Sequence, residues 1–170
     1  RMRIIGIDPG SLFTGWGIIE ATHAGRVRTV ASGVLQLEPE IGFANRMAKL
    51  SVLLNDIIVQ ENPRVGVVER IFLGKNADSA FTLGHARGVV LAELAKKKIE
   101  VVEYSTREVK KGITGNGNSQ KEQVQFVLKA LLGMQNFSRL DESDALALAV
   151  FHFIKADVAN RVTFMGVNNL

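Results

Sequence analysis

The order of elements along the sequence predicts an α/β fold: a mixed five-stranded sheet flanked by helices on both faces. Two observations carry this. Three extended stretches come first, joined by links so short that they make antiparallel hairpins. Helical and extended stretches then alternate, and a parallel return needs that kind of long crossover. The first stretch is apolar and must meet both kinds of connection, so it is expected near the centre of the sheet.

Arg3 to Asp8 reads as a short buried strand, rich in Ile and closed by the turn signal Pro9-Gly10. Thr14 to Glu20, with Trp16 and Ile18-Ile19, reads as the second strand. Arg26 to Leu37, where polar and apolar residues roughly alternate, reads as the third. The period then changes. Phe43, Met47, Leu50, Leu53, Leu54, Ile57 and Ile58 recur every three or four residues, the pattern of an amphipathic helix, and Pro63 marks its end. Val65 to Glu69 is again a short buried strand. Asn76 to Lys97 reads as a helix that is apolar on several sides, so it is expected to be buried on more than one face. Ile99 to Tyr104 is the fifth strand. Ser119 to Leu132 and Leu140 to Val158 read as two more helices, with a mobile Gly/Asn loop from Gly115 to Asn118 between strand and helix. One domain over 1–158 and an uninformative tail over 159–170 are expected.

With 170 residues, 46% hydrophobic and 22% charged, the chain is sized for one core. No apolar run approaches the ~20 residues of a membrane-spanning helix, and none has the build of a secretory leader. There is no cysteine, which excludes disulfides and thiolate metal sites and fits a cytoplasmic protein. His23, His85 and His152 are scattered without ligand spacing. Any metal must therefore be held by carboxylates, which favours Mg²⁺ or Mn²⁺ over Zn²⁺. The net charge of +4 and a pI near 9.6 give modest support to a nucleic-acid partner.

The chemistry is carried by carboxylates that end buried elements. Asp8 closes Ile4-Ile5-Gly6-Ile7, and Glu69 closes Val65-Gly66-Val67-Val68. A carboxylate in that place is costly unless something pairs it. Asp141 and Asp144 stand three residues apart in the first turn of the last helix, on one face, with Cβ atoms ~5–6 Å apart. Four converging carboxylates repel, and divalent cations relieve the repulsion. Two Mg²⁺ ions ~3.5–4 Å apart can clamp a phosphodiester. Taken singly, each residue has a plain structural alternative. Asp8-Pro9-Gly10 is often just a turn, Glu69 can pair with Arg70, and Asp141 suits the positive end of a helix dipole. Jointly they are much harder to explain that way.

Gly6-Ile7-Asp8-Pro9-Gly10-Ser11, continuing to Thr14-Gly15-Trp16-Gly17, resembles the opening of the RuvC family of Holliday junction resolvases. Val68-Glu69-Arg70-Ile71-Phe72 with Lys75 to Ala80 is similar to its second block, Gly84 to Gly88 to its helix, and Asp141 to Ala147 to its last acidic block. The match runs in order from Arg3 to about Lys155. The resemblance implies a ribonuclease H-like fold, a homodimer, and symmetric Mg²⁺-dependent cuts in two strands of a four-way DNA junction. Such cuts leave 5′-phosphate and 3′-hydroxyl ends. It further implies two Mg²⁺ per site with Mn²⁺ able to substitute, a branch-migration helicase complex as partner, and Asp8, Glu69, Asp141 and Asp144 as catalytic metal ligands. Phe72 falls where the family stacks an aromatic on bases near the crossover. Lys75, Arg87, Lys110, Lys111 and Lys121 are expected along the DNA path, Lys110 and Lys121 nearest the scissile phosphate. Taken alone, each of these cations is better read as a solvated surface residue.

Two other readings stay open on the sequence. An actin-like ATPase or kinase also uses a strand–Asp–x–Gly turn, but the chain is short for it. A junction-binding relative without nuclease activity would have lost a carboxylate, and none is missing.

Overall fold

A computed structural model of the chain describes residues 2–22, 25–71 and 76–167, and at residues 158 and 160–167 it describes the backbone alone. The strands are β1 (Arg3–Asp8), β2 (Phe13–Ala21), β3 (Val27–Gln36), β4 (Val65–Glu69) and β5 (Glu100–Tyr104). The helices are α1 (Phe43–Glu61), α2 (Ala77–Lys96), α3 (Thr106–Thr114), α4 (Lys121–Leu132) and α5 (Leu140–Val167), with a 3-10 turn at Pro39–Ile41. The sheet order is β3-β2-β1-β4-β5. The three hairpin strands pair antiparallel, and β1–β4 and β4–β5 pair parallel. The apolar first strand is central, as its sequence predicts.

Alternation along the strands separates two cores. Ile5, Ile7, Ile18 and Val68 face Leu50, Leu54 and Ile58 of α1 and Ala86, Val90 and Leu94 of α2. Ile4, Ile19, Val65 and Val67 face α3, α4 and α5, through Val109, Ile113, Val124, Leu128 and Leu146. Ala145 to Val150 of α5 are all buried, because that helix lies between the sheet and α3/α4. Glycines set how closely α5 approaches. A Cβ at Gly6 would collide with the Ala145 carbonyl, one at Gly15 with the Asp141 carbonyl, and one at Gly17 with the Leu146 side chain. The helix therefore rests directly on β1 and β2.

Four expectations change. The helix α3 was not foreseen. It is opened by a capping box in which the Ser105 hydroxyl accepts from the Glu108 N–H and the Glu108 carboxylate accepts from the Ser105 N–H. The expected mobile loop at Gly115–Asn118 is a bonded turn. Gly115 ends α3 in the left-handed region, and the Thr114 hydroxyl donates to the buried Ser119. The last helix runs beyond Val158 to Val167. The helix α2 buries only one side, and Phe81 on it is 69% exposed. Among the described residues no helix is long and apolar enough to cross a membrane.

Candidate active site

Parallel pairing of β1 with β4 places Ile7 beside Val68, so the next residue on each strand is Asp8 and Glu69. Both alternate onto the α5 side of the sheet, Asp8 in step with Ile4 and Gly6, Glu69 in step with Val65 and Val67. The start of α5 lies over the same end of the sheet, because Gly15, the partner of Asp8 across the β1–β2 pair, touches the Asp141 backbone. The sheet and one helix thus bring all four expected carboxylates to one place.

Electrostatics record the crowding. The Asp8 carboxyl is pushed up from 3.8 to about 7, first by burial and then by the charges of Asp144, Glu69 and Asp141, with Lys121 acting the other way. Lys121 of α4 stands 3.1 Å from Asp144. Burial works against its ammonium, but Asp144 by charge and hydrogen bond, then Asp8 and Glu69, outweigh burial and hold its pKa above the ordinary lysine value.

Local partners orient the other carboxylates. The Thr106 hydroxyl, at the start of α3, donates to Glu69. Arg139 Nε lies 3.1 Å from Asp141, and its guanidinium stacks 3.8 Å from the centre of the Phe13 ring. With the side chains turned to these partners, no three carboxylates among the described residues converge on a single point. The donor set still fits a hard divalent cation. All of it is carboxylate oxygen, the chain has no thiolate, and the neighbouring carboxylates add to burial in raising the Asp8 pKa, which Lys121 only partly offsets.

Beside the carboxylates a cleft of about 270 Å³ opens between α3, α4 and α5, lined by Glu69, Thr106, Lys110, Lys121 and Asp144 over an apolar floor. Lys110 and Lys121 both line this cleft. Lys111 is exposed and does not line the cleft. Arg87 is largely buried and braces the end of β4, donating to the Glu69 carbonyl at 3.2 Å and pairing with Glu103 at 2.6 Å. Phe72 and Lys75 lie outside the described residues. Thr14 shapes the turn after Asp8, its hydroxyl donating to the Gly10 carbonyl at 2.9 Å. Thr106 and Arg139 were not singled out from sequence. The capping box at Ser105 would have found the start of α3 and so Thr106. Arg139 carried no signal beyond its nearness to Asp141.

Comparison with known proteins shows which family the chain resembles. The family model described as crossover junction endodeoxyribonuclease RuvC matches residues 4–152. The RuvC of Bdellovibrio bacteriovorus is 46% identical over 149 residues, 88% of this chain and 88% of that one. That of Xanthomonas campestris is 39% identical over 166 residues, 98% of this chain and 94% of its own. Among solved structures, Thermus thermophilus RuvC in complex with a Holliday junction substrate superposes with a TM-score of 0.87 at 26% identity. It covers 94% of this chain and 97% of that one. The yeast mitochondrial resolvase, at 16% identity and a TM-score of 0.66, shares the fold.

Proposed function

This chain belongs to the RuvC family of crossover junction endodeoxyribonucleases, and on that premise we propose that Asp8, Glu69, Asp141 and Asp144 form the metal centre with which it cuts four-way DNA. It is a hydrolase that resolves Holliday junctions by endonucleolytic cleavage. The observation that carries the site is the shared end of β1 and β4 beneath the first turn of α5, where Asp8 is buried among three other carboxylates.

The ions are Mg²⁺, two per site, with Mn²⁺ able to replace them. When bound they supply charge neutralisation at the phosphodiester and make water nucleophilic near neutral pH. The chain's own residues do the rest. Asp8, whose carboxyl feels the other three, is the fixed point of the site. Thr106 orients Glu69 and Arg139 holds Asp141, and both carboxylates would serve as ligands to the bound ions. Lys121 leaves Asp144 and faces the phosphate, where its charge opposes the negative charge developing at the transition state. Lys110 extends that positive wall along the cleft. Phe72 and Lys75 engage bases and backbone near the crossover, and Lys111 contacts backbone further out.

Two copies act together. A four-way junction has near two-fold symmetry, so a two-fold dimer presents one centre to each of two strands. The open face of α2, with Phe81 exposed and no described residue packed over Gly84 or Gly88, is the contact. The product is two symmetric nicks with 5′-phosphate and 3′-hydroxyl ends. The work belongs to DNA recombination and repair in the cytoplasm, beside a branch-migration helicase.

The test uses an end-labelled synthetic junction with a mobile core, a matched linear duplex and Mg²⁺. Paired nicks in the junction alone, sealed by DNA ligase, are expected. Equal cutting of the duplex would replace this reading with a general nuclease, and tight junction binding without cutting would move the protein to the binding class.

A further inference from the structure

Glu142 lies between Asp141 and Asp144, yet its carboxylate is buried, 5% exposed, and turned toward β3. One oxygen accepts from the Ser32 hydroxyl at 2.7 Å. The other accepts from the Ser138 N–H at 2.6 Å and from the Ser138 hydroxyl at 2.7 Å. Burying a carboxylate is expensive, and it is tolerated where hydrogen bonds satisfy it fully.

The anchor points matter. Ser32 pairs with Gly17 across β2 and β3, so both face α5, and Gly17 is one of the glycines that admit that helix to the sheet. Ser138 lies in the segment that enters α5. Glu142 therefore ties the first turn of the helix to the sheet at one end and to its own approach at the other. The glycine contacts set how low the helix sits. The strut sets its rotation and slide, to which Asp141 and Asp144 on the same turn are directly sensitive. The charge-assisted bonds are short and buried, so the tie is stiff.

We infer that Glu142, through Ser32 and Ser138, is a positioning residue that holds Asp141 and Asp144 in register over Asp8 and Glu69. The inference rests on the reading of those four residues as metal ligands. Glu142 touches neither metal nor DNA. Its effect is on how well the ligand set is assembled before either binds, as with other residues that support metal ligands from behind.

The test measures Mn²⁺ affinity of the full chain without DNA, by calorimetry. It also measures cleavage rate and junction affinity separately, all well below each variant's melting temperature. Glu142→Ala is expected to weaken Mn²⁺ binding by about 10- to 100-fold and slow cleavage in proportion, with junction affinity unchanged. Glu142→Gln keeps the shape, accepts from the Ser138 N–H and donates to Ser32, so it restores most of the loss. Ser32→Ala falls between. Wild-type Mn²⁺ affinity in Glu142→Ala would overturn the inference, and so would Glu142→Gln as poor as Glu142→Ala, which would mean that charge rather than geometry matters. If Glu142→Ala does not fold, Ser32→Ala decides: weakened Mn²⁺ binding supports the strut and wild-type binding overturns it. Asp144→Asn is measured alongside. If it leaves Mn²⁺ affinity intact, the metal-centre reading itself fails; if it alone weakens binding, only the strut does.

Discussion

The two faces of one sheet differ in how closely a helix approaches them. Toward α1 and α2, the strands present Ile5, Ile7, Ile18 and Val68, large branched side chains that fill the space and hold the helices off. Toward α5, the same strands set Gly6, Gly15 and Gly17 among Ile4, Ile19, Val65 and Val67, and at those glycines the helix backbone rests on strand backbone. The first face is an ordinary core, whose role is stability. The second gives up apolar volume to bring the carboxylates of β1, β4 and α5 within reach of each other. A carboxylate buried at the end of a sheet beside three others does not stabilise a fold, and the pKa of Asp8, raised first by burial and then by those neighbours, is the mark of that strain.

If this contrast is right, perturbing the two faces should separate stability from activity. The largest effect expected is of pH on the metal-free protein. The Asp8 carboxyl binds its proton more tightly in the fold than in the unfolded chain. Its contribution is therefore fully present below pH 3.8 and is lost as pH rises to about 7. At about 1.4 kcal/mol per pH unit this is a fall of up to about 4 kcal/mol. Urea unfolding across that range in a chelator should show it, and Asp8→Asn or added Mg²⁺ should flatten the slope. A flat wild-type profile would break the claim that the site is strained.

On the opposite face, Leu54→Ala is expected to cost about 3 kcal/mol by emptying a fully buried position. The rate per folded molecule should stay near wild type. Loss of activity at temperatures where the variant is fully folded would show that the faces are not separate.

Gly15→Ala attacks the other side of the contrast. Its methyl meets the Asp141 backbone, so the start of α5 must lift. A misplacement of about 1 Å can reduce a rate by about 100-fold, and single-turnover cleavage with junction affinity measured alongside would read it. A wild-type rate would mean that the close contact is packing only.

The smallest effect expected is that of Thr106→Val, which removes the donor to Glu69. About a 10-fold weakening of Mn²⁺ binding is expected from loss of a partner behind a ligand, checked by calorimetry. No change would remove Thr106 from the site.

Much of this was legible in sequence because two strands announce themselves as apolar runs ended by a carboxylate. The bounds of β1 and β4 were read correctly for that reason, and parallel adjacency follows once helices separate them. The role of the glycines was not legible. Gly15 and Gly17 read locally as weak points in a strand, and only the helix lying across them gives them a purpose. The helix α3 was missed because Lys110, Lys111 and Gly112 dilute its apolar face to Val109 and Ile113, although its capping box was in plain view. The role of Glu142 was not legible, since nothing along the chain links it to Ser32, which is 110 residues away. Arg87 carried a charge that suggested DNA, and the fold turned it inward to Glu103 and the end of β4.

The most direct test of the central claim is cleavage of a mobile four-way junction by Asp8→Asn in Mg²⁺, with junction affinity measured on the same preparation. The substitution keeps the shape and removes one ligand charge. The account predicts that affinity is retained and that cleavage falls below detection. Cutting at a wild-type rate by a well-folded Asp8→Asn would contradict it, and the strand end shared by Asp8 and Glu69 would not be the catalytic centre.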